Sequence, residues 1–338
     1  MRVLVNPHLR PAAVPAPSRD AAAFHRALPG YAPTPMHELP DVATRLGLAA
    51  VTMKDESDRL GLPAFKILGA SWAVERLLRE QPDVETLVAA SAGNHGRAVA
   101  RVAAMRGLRA RVFLPARSLA ARRAAIAAEG AEVVVVDGAY EDAVAQSRRA
   151  AQEPGAAELA DVGDSGPAHW VIDGYATLFD EAAQQAAFDA IVVPIGVGSL
   201  GAAAARFGAE RAVTVIGVEP VTAACLTASL AAGAPTIVET PGTTMAGLDC
   251  AEVSPAAWPS LRDGIHATVT VEDTEVDAAV ARLAAAGLTI GESGAAPLAA
   301  LAHLADRLAG RRALLIATEG PTSGRIPVNA RLTRADLG

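Results

Sequence analysis

Ala190-Ile-Val-Val-Pro-Ile-Gly-Val-Gly-Ser-Leu-Gly201 reads as a strand that runs, without a polar residue, into a glycine turn and on into the helix GAAAARFG. An apolar run with no alternation suits a strand covered on both faces, the habit of parallel sheets flanked by helices. Gly196, Val197, Gly198, Ser199 and Leu200 then present backbone N–H groups and a helix dipole that can cradle a phosphate. The same loop is a G-x-G-x-x-G, and Glu219 closes the next strand where a dinucleotide enzyme carries its ribose acid. These residues alone leave a nicotinamide cofactor and other phosphates open.

Outward from this loop the alternation of strands and helices continues in both directions. Downstream lie the strands AVTVIGVEP and HATVTV, helices around 273–286 and 295–309, and the strand RALLIAT before a polar tail. Upstream, VETLVAAS, the helix GRAVARVAAMRG, ARVFLPA, a helix over 118–129, AEVVVVD and a helix from Glu141 form a second β-α-β-α-β-α series. The expected fold class is therefore α/β, with two open parallel-sheet lobes carrying helices on both faces. We expect residues 1–75 and 185–338 to form the larger, cofactor-binding domain and 76–184 a smaller domain inserted in it. Residues 1–45 are Pro-rich and read as an irregular arm, LAAVTMKDE as a strand that carries Lys54 outward, and 153–183 as a joining segment with little periodicity. In such folds ligands bind beyond the carboxyl ends of strands, which singles out the loops after Ser91, Pro194, Val218 and Ala317.

Bulk properties narrow the function classes. The 338 residues carry a formal charge of −7 and are 51% hydrophobic, which suits a globular protein and argues against a nucleic-acid partner held through phosphates. No apolar run reaches the length of a membrane span, and MRVLVNPHLRPAAVPAPSRD breaks on Pro and charge before a signal-like core forms, so the expected setting is cytoplasmic and the partner a small molecule. Cys225 and Cys250 offer no CxxC or Cys/His spacing, so no metal site is expected; two reduced thiols are the first reading and a pair across a loop the second.

The cations are more telling. Of 30 Lys and Arg residues only Lys54 and Lys66 are lysine. Arg can replace Lys as a solvated charge but not as a nucleophilic amine, because the guanidinium does not give up its proton. Lys66 stands in Ala64-Phe65-Lys66-Ile67-Leu68-Gly69, an apolar setting that lowers an amine pKa, whereas Lys54 in KDESDR reads as solvated or ion-paired. At a further strand-to-helix junction, Ser91-Ala92-Gly93-Asn94-His95-Gly96 lets a ligand approach the backbone closely. Asn94 can offer it an amide, although Ser91 or Asn94 could simply cap the helix and His95 act as a hydrogen-bonded spacer.

A desolvated lysine, a phosphate cup and an Asn-bearing loop together suit pyridoxal 5'-phosphate. The chain resembles the fold-type II (tryptophan synthase β-like) pyridoxal-phosphate enzymes, and among them the diaminopropionate ammonia-lyases. The likeness runs through YAPTPMHEL, KDESDRLGLPAFKILGAS, GNHGR, WVIDGYATLFDEA, GVGSLGA, VEP, MAGLDC, GESGA and TEGPT. The resemblance implies α,β-elimination from 2,3-diaminopropionate, or a similar β-substituted amino acid, to pyruvate and ammonia by a homodimer. It makes Lys66 the Schiff-base lysine. Asn94 would meet the ring hydroxyl, residues 196–201 the phosphate and Thr318 the pyridine nitrogen. Glu292 of GESGA would lie beside the ring, unless it is only a helix N-terminal charge. Ser91, Ala92 and Gly93 would receive the substrate carboxylate.

One departure bears on stereochemistry. The family's acid just before GNHG is here Ala92, which puts the D-isomer route in doubt and leaves the proton to Lys66 itself or to Asp161, the likelier match to the second acid, with Asp164 close by. The chain is also shorter in that segment and at its C-terminus than the family pattern. A serine/threonine dehydratase or β-replacement enzyme shares this machinery. A nicotinamide dehydrogenase would use only the 196–201 loop and Glu219, and a catalytically silent pyridoxal-phosphate protein would bind the cofactor without turnover.

Overall fold

The computed structural model describes residues 2–91, 93–164 and 166–321; Ala92 and the segment after 321 lie outside the described residues. Among the described residues eleven strands fall into two sheets. They are β1 (Val3–Val5), β2 (Met36–Glu38), β3 (Ala50–Asp55), β4 (Thr86–Ala90), β5 (Arg109–Pro115), β6 (Glu132–Val136), β7 (Ala156–Glu158), β8 (Ala190–Pro194), β9 (Thr214–Pro220), β10 (Ala267–Val271) and β11 (Arg312–Ala317).

The seven-stranded sheet has the order β1-β10-β9-β8-β11-β3-β2. Its five inner strands are parallel, and the short outer strands β1 and β2 pair antiparallel to β10 and β3. The uniform apolar run at the head of the glycine loop is explained directly. Ala190, Ile191, Val192 and Val193 of β8 have no exposure, with helices on both faces. The second sheet, β6-β5-β4-β7, is parallel throughout. Both sheets thus aim the carboxyl ends of their central strands at loops leading into helices, and the loops singled out from the sequence lie there.

Three expectations change. Residues 153–183 are not featureless: they hold β7 and the helices Gly166–Gly174 and Ala176–Gln185. The second of these helices buries Ala176, Thr177, Leu178 and Phe179 in succession, so it shows no single apolar stripe. Within 1–45, alongside the irregular stretches, lie two short strands and the helices Asp20–Arg26 and Pro40–Leu46. The helix expected over 295–309 instead runs Glu292–Ala300, with Pro297 inside it, and breaks into short turns beyond.

The largest correction concerns Lys54, which points inward and has no exposed surface. Its Nζ lies 2.8 Å from Glu181 Oε2 and donates to the Thr34 carbonyl and to Gln185 Oε1. Arg59 joins the same cluster, 2.6 Å from Glu56 and 2.7 Å from Glu181, and Tyr31 donates its hydroxyl to Glu181. Two cations face two anions, so the charge closes, and the geometry leaves few lone pairs unused. The KDESDR stretch is therefore structural. It ties the arm at Tyr31–Thr34, the exit of β3 and the helix Ala176–Gln185 together, and so sets the entry of the loop that ends at Lys66. His25 makes a neighbouring clamp, bonded through Nδ1 to Thr177 Oγ1 and through Nε2 to the Leu68 carbonyl in the Lys66 helix, Lys66–Glu80.

Removing one partner from the Lys54 cluster leaves a buried charge uncompensated. Glu181→Gln is expected to destabilise the fold by about 3–5 kcal/mol, read as a lowered urea midpoint. Burial pushes the His25 imidazole down to about 4. Below the unfolded value near 6.5 the unfolded chain therefore takes a proton that the fold refuses. Stability should fall by roughly 3 kcal/mol as pH drops from 6.5 towards 4, and His25→Gln should remove this part of the slope in denaturation at a series of pH values.

Candidate active site

Lys66 is the first residue of its helix, carried there by a segment that is itself held at both ends. Phe65 N–H donates to the Thr318 carbonyl, Ala64 bridges Glu319, and Gly320 N–H donates to the Pro63 carbonyl, so residues 63–66 lie along the exit of β11. From this base the side chain reaches Asp161, with Nζ 2.7 Å from Oδ2. Phe65 and Tyr175 place their rings 5.5 and 5.9 Å from the ammonium. The apolar surroundings predict a lowered amine pKa, and burial does pull it down. The Asp161 carboxylate and the Tyr175 oxygen outweigh that pull and hold the ammonium above the ordinary lysine range. Asp161 moves the other way: burial would raise it, but His95 and Lys66 draw it below the usual carboxylate range.

The glycine loop approaches the same point. Gly198 caps the helix Ser199–Arg211 with φ of +95°, and a Cβ there would stand 2.5 Å from Leu261 Cδ1, so only glycine fits. At Gly196 a Cβ would sit 2.7 Å from the Gly247 carbonyl. Val197 is half-buried, and Ser199 and Leu200 are buried in the first turn. Ser199 Oγ donates to the Asp161 carbonyl at 3.1 Å, which links the loop to the Lys66 pair. The half-buried Cys250 lies against Gly196 and is influenced by Lys66, and buried Cys225 points its sulfur at the Gly196 carbonyl; both thiols are free.

The third loop opens the helix Asn94–Arg106. Asn94 is half-buried and donates from Nδ2 to Glu319 Oε2 at 2.5 Å, and Ser91 Oγ accepts from Gly93 N–H at 3.3 Å. Asn94 makes no side-chain cap, so the plain capping reading fails for it. His95 is the hydrogen-bonded anchor: Nε2 bonds the Leu159 carbonyl, and Nδ1, which has no hydrogen-bond partner among the described residues, stands 3.7 Å from Asp161. It thereby fixes the chain two residues before Asp161. Thr318 directly follows β11 and is 5% exposed, while Glu292 begins its helix, half-buried.

Two acids resolve differently from their sequence positions. Glu219 is fully buried and accepts from Leu226 N–H, Thr227 N–H and the Thr227 hydroxyl at 2.6–2.9 Å. Burial pushes it up to about 7. Being spent on the start of the helix Cys225–Ala232, it is not offered to a ribose, which removes the feature on which a nicotinamide cofactor rested. Asp164 is exposed and pairs with His169, away from Lys66. Tyr175 and Glu319 are not marked out by local sequence pattern, although both lie in quoted motifs, WVIDGYATLFDEA and TEGPT.

The donor set fits pyridoxal phosphate: an amine with a paired acid, side-chain-free backbone at a helix start, an amide and a buried hydroxyl, all on loops at the carboxyl ends of strands. The comparisons agree. Residues 27–319 match the model of the pyridoxal-phosphate dependent enzyme family. A diaminopropionate ammonia-lyase of Salmonella typhimurium is 35% identical, over 90% of this chain and 89% of its own. The crystal structure of diaminopropionate ammonia lyase from Escherichia coli in complex with an aminoacrylate-PLP azomethine reaction intermediate superposes with a TM-score of 0.85 at 31% identity, covering 94% of this chain and 93% of that one. A biosynthetic L-threonine dehydratase of Pasteurella multocida is 31% identical over 79% of this chain and 52% of its own. With this architecture and a match over nearly its whole described length, the chain belongs to the pyridoxal-phosphate dependent enzyme family, in the fold-type II branch that holds the diaminopropionate ammonia-lyases.

Proposed function

We propose that the protein catalyses α,β-elimination from 2,3-diaminopropionate, or a similar small β-substituted amino acid, to pyruvate and ammonia. The observation that carries this reading is the Lys66–Asp161 pair at 2.7 Å, standing between the glycine loop and the Asn94 helix. Such a pair can hold a proton at Nζ or release it, which a lyase must do twice, once at Cα and once at the leaving group.

In this reading residues 196–200 bind the cofactor phosphate through backbone N–H groups, Asn94 meets the ring hydroxyl, and Thr318 offers the pyridine nitrogen a neutral partner. Lys66 holds the aldehyde carbon. Pyridoxal phosphate supplies the electron sink for the pair left at Cα. Ser91, Gly93 and Ala92 receive the substrate carboxylate, Ala92 by sequence position alone. Lys66 would act as the base, its amine receiving the Cα proton. Asp161, lying below the ordinary carboxylate range, takes protons poorly but stabilises the ammonium formed at Nζ. The proton stored there is available to a β-substituent that departs as a base, such as a hydroxyl or a neutral amine; a β-ammonium departs as ammonia and needs none. His95 keeps Asp161 in place through Leu159.

On the family likeness, the working form is a cytoplasmic homodimer. Among the described residues no helix is long and apolar enough to cross a membrane.

Pyruvate release measured on L- and D-2,3-diaminopropionate, serine and β-chloroalanine, with 2-oxobutanoate release from threonine, should show L-2,3-diaminopropionate as the best substrate and the D-isomer as a poor one. A clear preference for serine or threonine would assign a dehydratase instead. Lys66→Ala should abolish turnover and the covalent retention of cofactor after borohydride reduction; retention in that variant would overturn the assignment of Lys66. Asp161→Asn should keep the cofactor and lower kcat by about 10²–10³-fold.

A further inference from the structure

Glu319 is the acid of the TEGPT motif that the roles above leave unused. It is 4% exposed and belongs to the backbone frame of the site, bridging Ala64 and accepting at its carbonyl oxygen from Gly291 N–H at 2.9 Å. The position of the carboxylate is therefore fixed. Oε2 accepts from Asn94, while Oε1 is buried with no hydrogen-bond partner among the described residues. The side chain lines a cavity of about 160 Å³ that Gly93, Asn94, Arg122 and Gly247 also line. This cavity opens on the start of the Asn94 helix, where the substrate carboxylate is placed above.

The groups facing Glu319 are Ser293, Asn94, Glu292 and Arg122. Burial, and after it the like charge of Glu292, push its carboxyl up, while the Ser293 hydroxyl and the Asn94 amide, both hydrogen-bond donors facing it, and the charge of Arg122 ease it down; burial wins. A buried carboxylate oxygen without a donor is costly, and the cost is met by a ligand that brings N–H groups and positive charge together. A neutral hydroxyl brings only a donor. Two arginines line the same cavity: Arg97 is paired with Glu129, while Arg122 makes no ion pair among the described residues, so beside Glu319 the cavity offers one uncompensated positive group. A substrate with a carboxylate and a second, cationic amine matches both.

We infer that Glu319 is the specificity-determining residue for the β-substituent, its free Oε1 receiving a β-ammonium in preference to a hydroxyl or a halide. This rests on the elimination reading, and deepens it by stating why an amine would be the group expelled. The alternative is purely positional, with Glu319 doing no more than aiming the Asn94 amide.

The test uses the holoenzyme and the rapid change in cofactor absorbance on mixing with amino acid, read before the first turnover, which gives a dissociation constant for each ligand. The wild-type protein should bind 2,3-diaminopropionate more tightly than serine or alanine, and these more tightly than aspartate. Glu319→Gln should weaken 2,3-diaminopropionate by roughly 30-fold relative to serine while retaining cofactor. The ratio of kcat/KM for 2,3-diaminopropionate over β-chloroalanine should fall in parallel. An equal loss on all ligands, or none, would overturn the inference in favour of the positional role. If Glu319→Gln does not load cofactor, the wild-type order of cationic over neutral over anionic ligands decides, and its absence overturns the inference. Tight binding of 2,3-diaminopropionate without pyruvate release would sink the elimination reading while leaving Glu319 as a receptor for the cation.

Discussion

An ammonium carried on the first residue of a helix and enclosed by two aromatic rings needs a counter-charge, and Asp161 is the group that supplies it. The demand shapes more of the molecule than the pair itself. Asp161 stays in reach because His95 holds the Leu159 carbonyl and Ser199 holds the Asp161 carbonyl, so the Asn94 helix and the glycine loop are both fastened to the same short segment. Lys66 stays in reach because residues 63–66 run along the exit of β11. Three loops from different parts of the chain are thus brought to one place by bonds to their backbones, and the charged pair sits where they meet. Geometry of this kind is rigid, which suits proton transfer over a fraction of an ångström.

The molecule carries a second buried charge cluster, and the contrast is instructive. Around Lys54 every charge has an opposite neighbour and the cluster is sealed. Around Lys66 one carboxylate must serve both a lysine and, at 3.7 Å, a histidine nitrogen with no hydrogen bond of its own among the described residues, and the region is partly open. The first arrangement is one of architecture, and the second leaves protons able to move. Two lysines close together in the sequence, each with an acidic partner, differ in whether the polar network is closed.

Much of this is legible along the chain, and the failures have physical causes. The inner strands announce themselves by their apolar runs, as in AIVVP of β8 and ALLIA of β11, whereas the short β1, β2 and β7 do not. Lys66 is distinguished by its apolar neighbours, but the direction of its pKa is not, because Asp161 is far away in sequence and outweighs them. Lys54 is half legible for the same reason: KDESDR reads as solvated or ion-paired, and the ion pair is there, but with Glu181, Thr34 and Gln185 closing over a side chain that points inward. Glu219 ends its strand where either a ribose or a helix start could be met, and only the three donors of the next helix decide between them. In the joining segment, β7 is three residues long, the helix Gly166–Gly174 has a stripe of only three apolar residues, Ala168, Val171 and Ile172, and Ala176–Gln185 is buried on more than one side, so little periodicity marks them. Asp161 itself is accessible only through the family pattern, since an acid in an aperiodic stretch carries no local signal.

The scarcity of lysine has a practical side. Apart from the histidines, every other cationic side chain in the sequence is a guanidinium; Lys54 is sealed, and Lys66 has a side chain only 21% exposed. Reagents that acylate or crosslink side-chain amines would find an exterior almost blank to them, and where they did react it would be at Lys66, in the pocket proposed for the cofactor. Immobilisation or labelling through lysine, routine for most enzymes, would here either fail or inactivate. The same blankness makes the molecule a clean reporter: a single lysine adduct, located by mass, would measure how open that pocket is.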